Sequence, residues 1–315
     1  MILGGTGWLG REIARAVVIA GDDVTCLARG SSGTAPEGAK LVRADRRTPD
    51  AYAAVSGEWD EVVEIAWDVP IVRSALAALA PRAAHWSLVS TVSVYASNST
   101  PGADETDPVV EPVDLSDYGQ AKVAVERASV AALGERLLVV RPGLIAGPGD
   151  PSDRFGYWVS RMALADGEPV LSMRAANRTT QVIDVRDLAT FVAAGRHTGV
   201  LNAVGDVHPL AEVFDHAARI AGFAGPRVDA ADDWLLDHDV EYWAGPRSLP
   251  LWLPDEDAAM TAKSNAALHA AGASLRDLDE TLVDTLADEV ARGLDRPRRA
   301  GLARLDELAL LDQLG

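Results

Sequence analysis

The chain has 315 residues, enough for about two domains and for a hydrophobic core that needs no disulfide or metal staples. Its 48% hydrophobic and 24% charged composition excludes disordered and collagen-like classes, and no apolar run approaches the roughly 18 residues of a membrane span. The net charge of −18, from 47 acidic and 29 basic side chains, repels phosphate backbones and anionic lipid, so neither nucleic acid nor membrane is an expected partner.

A single cysteine, Cys26, permits no internal disulfide, and the N-terminus has no signal-peptide pattern, so a reducing, cytoplasmic setting is expected. Only Lys40, Lys122 and Lys263 supply amines, so any lysine chemistry must use one of them.

In chain order, Met1–Gly4 reads as a strand and Arg11–Ala20 as the helix after it. Asp23–Ala28 reads as a second strand, followed by a turn at Arg29–Gly33. Leu41–Arg43, Glu61–Ile65 and Trp86–Ser90 read as buried strands, with helical stretches at Asp50–Val55 and Val72–Leu79. A long helix follows from Tyr118 to Leu133, then a strand at Arg136–Val140. This alternation predicts an α/β fold with a doubly wound parallel sheet. Past Gly149 the patterning weakens. Gln181–Val185 and Asp187–Gly195 read as a strand–helix return to the sheet, and Leu275–Arg292 as an amphipathic helix with Leu278, Leu282, Leu286 and Val290 on one face. The expected division is a nucleotide-binding domain over 1–150, rejoined by 181–204, and a smaller irregular substrate cap over 205–315 with 151–180.

Gly4, Gly7 and Gly10 are spaced three apart between the first strand and its helix. Such glycines turn the backbone tightly and let a pyrophosphate approach the amides at a helix N-terminus. This is the context that makes a glycine-rich string a dinucleotide signal, with Gly4, Thr6, Gly7, Trp8, Leu9 and Gly10 as cofactor-binding candidates. The second strand ends in Arg29 and Ser31 with no carboxylate, a pair suited to a 2′-phosphate. NADP(H) is therefore expected over NAD(H), which remains open if Arg29 is an ordinary solvated turn residue. Asp45, after the third strand, is a candidate acceptor for the adenine amino group.

Tyr118 and Lys122 lie four residues apart, on one face at a helix start. A phenol titrates near 10, and an adjacent ammonium and an oxidised nicotinamide both favour its phenolate. Drawing that value down to neutrality takes roughly 4 kcal/mol of differential stabilisation. Such a tyrosine can give a proton to a carbonyl oxygen or take it back.

These segments, together with Val89–Tyr95, Val140–Gly143, Gly147-Pro148 and Val182–Ala189, resemble the extended short-chain dehydrogenase/reductases, the NAD-dependent epimerase/dehydratase-like family with a Rossmann-type fold. Segments 150–158 and 249–254 are similar to bacterial members labelled isoflavone-reductase-like. The resemblance implies Thr91, Tyr118 and Lys122 as catalytic residues, with Thr91 holding the substrate oxygen. It implies Ser90, Tyr118, Lys122, Pro142 and Gly143 as further cofactor contacts, and Ser93 as a substrate contact. It also implies a homodimer, for which Val72, Leu76, Leu79, Val123, Val125 and Val130 offer apolar helix positions.

Three departures narrow the reading. No asparagine occurs between Ser56 and Ser97, so the family's catalytic asparagine has no counterpart there. Val92 and Ser93 replace the acidic pair of sugar dehydratases, which disfavours dehydration. Only three residues precede Gly4, fewer than members of the resembled family often have, so either a short first strand or a misplaced start is expected.

Tyr157, Trp158, Trp234, Tyr242, Trp243 and Trp252 fall near or within the expected cap, and Trp158 and Trp252 are candidate substrate contacts, against the alternative that they form the cap's own core. The acidic run from Asp229 to Glu241 reads as a solvated face. Six dispersed histidines give no zinc spacing, and no metal is expected. The expected activity is hydride transfer between NAD(P)H and a small carbonyl or alcohol, aromatic ones included. The rivals are a nucleotide-sugar epimerase with retained NAD and a non-catalytic nucleotide- or RNA-binding relative.

Overall fold

A computed structural model describes residues 1–195 and 197–314. The elements run β1 (Ile2–Leu3), α1 (Trp8–Ile19), β2 (Thr25–Ala28), β3 (Lys40–Arg43), β4 (Trp59–Glu64), α2 (Val69–Leu79), β5 (Ala83–Val89), α3 (Tyr118–Leu133), β6 (Leu137–Pro142) and β7 (Leu144–Ala146). They continue as α4 (Gly156–Ala165), β8 (Val170–Met173), β9 (Thr179–Asp184), α5 (Val185–Ala193), β10 (Gly199–Ala203), β11 (Val207–Pro209), α6 (Leu210–Ala221), β12 (Arg227–Ala230) and α7 (Asp232–Asp237). The chain closes with β13 (Glu241–Tyr242), β14 (Ser248–Leu249), α8 (Ala266–Ala270), α9 (Leu278–Arg292) and α10 (Arg304–Leu314).

The chain divides into two compact units. The first comprises Met1–Gly143, Val185–Gly205 and Lys263–Ser274, and it holds a seven-stranded parallel sheet in the order β10-β6-β5-β4-β1-β2-β3. This is the doubly wound, Rossmann-like sheet that the strand–helix alternation predicts. Parallel strands covered on both faces read as continuous apolar runs, and β6 is buried at all six positions. The strand order reverses at β1, which pairs β2 on one side and β4 on the other. In such sheets ligands bind beyond the strand ends at the reversal.

Several expectations change. Asp50–Val55 is not helix: Ala51, Ala53 and Val55 each donate to the carbonyl three residues back, a run of tight turns. Gln181–Val185 does not rejoin the main sheet, because β9 pairs β7 and β11 in a three-stranded sheet of the second unit. The seventh strand is β10, in which Val200 is the one β-branched residue and Gly199 and Asn202 weaken the pattern, and α5 packs on α1. The first unit ends at Gly143 rather than 150 and regains 263–274, a return unmarked by any motif.

The dimer positions change too. Val72, Leu76, Leu79, Val123 and Val125 are buried within the first unit, where α2 packs on α3, so they are not available as an interface; Val130 is exposed.

The second unit comprises Leu144–Asp184, Asp206–Ala262 and Leu275–Gly315. Its core gathers Tyr157, Trp158, Phe214, Leu282 and Trp252 as α4 packs on α6 and α9. On α9 the buried positions are Thr281, Leu282, Thr285 and Glu289, while Val290 is exposed. Of the expected apolar face, Leu282 is buried and Leu278 and Leu286 are partly buried against the same core; the polar positions extend it, with Glu289 taking up Arg296 and Arg298. No helix among the described residues is long and apolar enough to cross a membrane.

Candidate active site

The glycine turn is built by contacts that exclude side chains. Gly4 adopts φ +99°, and its N–H donates to Leu27 O at 3.0 Å while its carbonyl accepts from Gly7 N at 3.1 Å. A Cβ on Gly10 would lie 2.4 Å from Gly4 O, so α1 can approach β1 only with glycine there. Gly5 is fixed by a contact the spacing does not reveal, since its Cβ would meet Cys26 Sγ at 2.4 Å. Burial pushes the Cys26 thiol up to about 11, which makes it a packing group. Gly7 caps α1 without a side chain, so no side chain competes for the amides of the first turn.

A cleft of about 200 Å3 opens at this turn, lined by Gly4, Thr6 and Gly7 and, further along, by Arg29, Ser31, Ser32 and Asp45. Arg29, Ser31 and Asp45 are exposed. Arg43 lies under the same turn, its guanidinium carbon 3.7 Å from where a Gly30 Cβ would sit. Arg46 is committed elsewhere: it makes a bidentate pair with the fully buried Glu64 and donates to Tyr52 Oη at 3.2 Å. Glu64 also accepts from Ala66 N at 2.8 Å, which fixes the chain leaving β4. A concave glycine turn, an uncapped helix and an exposed arginine beside serine together fit a dinucleotide.

Asp117 caps α3 by accepting from Gln120 N at 2.8 Å, which places Tyr118 at the first helical position. Gly119 then rests on the turn after β5, where a Cβ would lie 2.4 Å from Ser93 O. This contact brings the start of α3 against Thr91–Ser93. Thr91 is buried; its Oγ1 accepts from Ser93 N at 3.2 Å and donates to Ser93 Oγ at 3.2 Å. Ser93 and Tyr118 remain exposed. Lys122 is 1% exposed, and its ammonium donates to Val89 O at 2.5 Å and to Ile65 O and Ala66 O at 3.1 Å each. Burial pulls its pKa down to about 8, against the opposing pull of Glu64 and Glu126.

One turn beyond Lys122, Glu126 anchors a buried network. Arg141 grips it through Nε at 3.1 Å and through a terminal nitrogen at 2.8 Å, and Ser90 Oγ donates to it at 2.5 Å. Arg141 donates in turn to Tyr95 Oη at 3.2 Å, and Tyr95 donates to Asn202 Oδ1 at 2.7 Å. Lys263 stands 5.0 Å from the Tyr95 ring centroid and donates to Asn98 Oδ1 at 3.0 Å. The loop after β5 is thus tied to α3, β6, β10 and the returning 263–274 segment.

Of the candidates, Thr91, Ser93, Tyr118 and Lys122 come together around the turn after β5. Gly4, Thr6, Gly7, Arg29, Ser31 and Asp45 share the cleft, and Trp8, Leu9 and Gly10 open α1 beside it. Pro142 and Gly143 close the first unit at the end of β6, where a Gly143 Cβ would crowd Val204 at 3.1 Å. Ser90 is corrected: it is buried, and its hydroxyl is directed at Glu126. Trp158 and Trp252 are corrected as well. At 1% and 0% exposed they are core, with Nε1 atoms donating to Pro250 O at 2.8 Å and Asp232 Oδ2 at 3.1 Å.

Pattern reading missed Trp67, whose exposed indole meets the Tyr118 ring edge-on at 5.9 Å between centroids. It also missed Glu126, although its place four residues after Lys122 on one helix was a signal.

Comparison with known proteins fits this geometry. The model of the NAD dependent epimerase/dehydratase family matches residues 68–199. A 2′-dehydrokanamycin reductase from Streptomyces kanamyceticus is 31% identical over 264 residues, covering 78% of this chain and 73% of that protein. The chain belongs to the NAD dependent epimerase/dehydratase family. Members of this family use nicotinamide cofactors. Among solved structures, the Bordetella bronchiseptica enzyme WbmG in complex with NAD and UDP superposes with a TM-score of 0.69 at 16% identity, covering 93% of this chain and 95% of that one. The UDP-glucose 4-epimerase of Thermus thermophilus in complex with NAD gives 0.65 at 18% identity, covering 91% and 97%. At such identities the likeness is one of fold.

Proposed function

We propose that this family member is an NADPH-dependent reductase of a ketone carried on an amino-sugar ring. The observation that carries the hydride-transfer reading is the exposed Tyr118 phenol set one helical turn before a buried Lys122, whose ammonium is held by Ala66 O in the wall of the cofactor cleft, and the reductase relative favours net reduction. The substrate class is supported by the relative, a 2′-dehydrokanamycin reductase, and by the net charge of −18, which favours a cationic ligand.

NADPH, when bound, supplies the hydride. Arg29 and Ser31 would hold its 2′-phosphate, with Arg43 under the same turn, and the amides of Trp8, Leu9 and Gly10 would face its pyrophosphate. Tyr118 gives its phenolic proton to the ketone oxygen. Thr91 directs its hydroxyl at Ser93 Oγ, which leaves the proton of the exposed Ser93 for that same oxygen. Lys122 spends its three N–H groups on three carbonyls, so gripping the nicotinamide ribose requires it to exchange one of them. Its positive charge favours the phenolate that remains after proton transfer.

Titration of tryptophan fluorescence with NADPH and NADH, followed by a screen of cyclic ketones for loss of NADPH, tests this reading. Preference for NADPH with stoichiometric consumption is expected. A cofactor that stays bound through gel filtration without net consumption would instead select an epimerase, and binding of neither cofactor would remove the enzyme reading.

A further inference from the structure

We infer that Trp67 is the wall against which the substrate ring is held, and that it selects rings presenting a C–H face and an ammonium group. This inference rests on the reductase reading of Tyr118 and deepens it.

Trp67 is 46% exposed and Tyr118 is 43% exposed, and their rings meet edge-on at 5.9 Å and 77°. Isolated exposed aromatics need no explanation. Two features set this one apart. Its backbone is pinned on both sides: Lys122 holds the carbonyls of Ile65 and Ala66, and Asp68 caps α2 by accepting from Ile71 N at 3.2 Å. The indole therefore stands on a fixed segment, open to solvent, beside the one phenol that must touch the substrate. A six-membered ring whose carbonyl oxygen lies within hydrogen-bond reach of Tyr118 extends over a span comparable to that 5.9 Å separation, which puts the indole within reach of the ring.

The chemistry of the platform narrows the class. An indole face is the strongest aromatic partner for a cation, and an ammonium on a sugar ring can sit over it while the ring's C–H groups pack on the same surface. A neutral acyclic ketone gains neither contact.

Saturation-transfer NMR on the NADPH-saturated protein, with methyl glucosaminide and its N-acetyl counterpart as probes, tests the inference without requiring turnover. Wild type is expected to transfer saturation to the ring protons and to bind the ammonium-bearing probe about tenfold more tightly than the neutral one. Trp67→Leu should abolish that preference, Trp67→Phe should keep part of it, and the Kd for NADPH should stay within about twofold in both. Wild type with no ring-proton signal, or Trp67→Leu with the wild-type preference, overturns the inference. A Trp67-dependent preference in a protein that consumes no NADPH would leave the platform standing and remove the reductase. NADPH consumption with an unchanged Trp67→Leu would do the reverse.

Discussion

Each unit buries arginine–glutamate pairs, and two of these, Arg141–Glu126 and Arg161–Glu307, have different neighbours. In the first unit Arg141 and Glu126 sit one helical turn from Lys122 and fix a loop whose Ser93 is open to solvent. In the second, Arg161 and Glu307 meet at 3.3 Å, and Glu307 accepts from Leu171 N at 3.0 Å, which binds α10 to β8. Around that pair lie Tyr157, fully buried and with its phenol pushed up by burial, and Trp158, also enclosed. The first pair supports an open surface of polar and aromatic groups; the second supports a closed core. A buried charge pair or a dense group of aromatics thus does not by itself mark a site. What marks it is rigidly held chemistry left facing solvent.

The open surface of the first unit loses most at Tyr118. Tyr118→Phe should lower turnover by about 100-fold or more, the usual weight of a positioned general acid, with the Kd for NADPH held within about twofold. A fully active Phe variant sinks the assignment.

Next in size are the two glutamates. Removing one partner of a buried pair leaves an uncompensated charge, at a cost of about 3–5 kcal/mol. Glu126→Ala and Glu307→Ala should therefore both lower the midpoint of thermal unfolding. At a temperature where both variants remain folded, only Glu126→Ala should also lose activity, because it frees Ser90 and the loop that carries Thr91 and Ser93. Equal loss of activity in both would erase the distinction between the units.

A smaller effect is expected at the adenosine end of the cleft. Arg29→Ala should weaken NADPH by about tenfold or more, from the loss of charge-assisted bonds worth about 1.5–3 kcal/mol, and leave NADH unchanged. Parallel weakening of both cofactors would return Arg29 to the status of a turn residue.

The mildest test is pH. Burial lowers Lys122 to about 8, below its ordinary value of 10.5, so the folded chain releases this proton before the unfolded chain does. Between about pH 8 and 10.5 the unfolded state binds more protons, and this lysine makes stability rise with pH. Reductive turnover should fall over the same interval as the ammonium is lost. A rate that is flat through pH 8 would show that the charge of Lys122 is not needed.

The parts of this site that are legible in sequence are those set by local geometry. Gly4, Gly7 and Gly10 obey the spacing of one turn, and Tyr118 and Lys122 obey the pitch of one helix. The strand–helix alternation likewise foretells the parallel sheet. Contacts between distant segments are not legible in this way. Nothing near Gly119 announces that Ser93 O will press on it, and nothing near Lys263 announces a return to Tyr95. Sequence draws attention to Trp158 and Trp252 because each has other aromatics near it, Tyr157 beside one and Tyr242 and Trp243 near the other, whereas Trp67 has none adjacent. Burial reverses that ranking, since it depends on the packing of α4, α6 and α9 rather than on residue type. The strand β10 goes unread for a related reason: Gly199 and Asn202 weaken its pattern, and its pairing with β6 supplies what propensity lacks.

Net hydride transfer to a ring ketone at Tyr118 is read out by NADPH carrying deuterium at the transferring carbon. In a single turnover with an amino-sugar ketone, the expected product is an alcohol heavier by about one deuterium per NADPH consumed, with the label on the former carbonyl carbon. An unlabelled product formed with the cofactor intact would contradict it and assign the same residues to an epimerase.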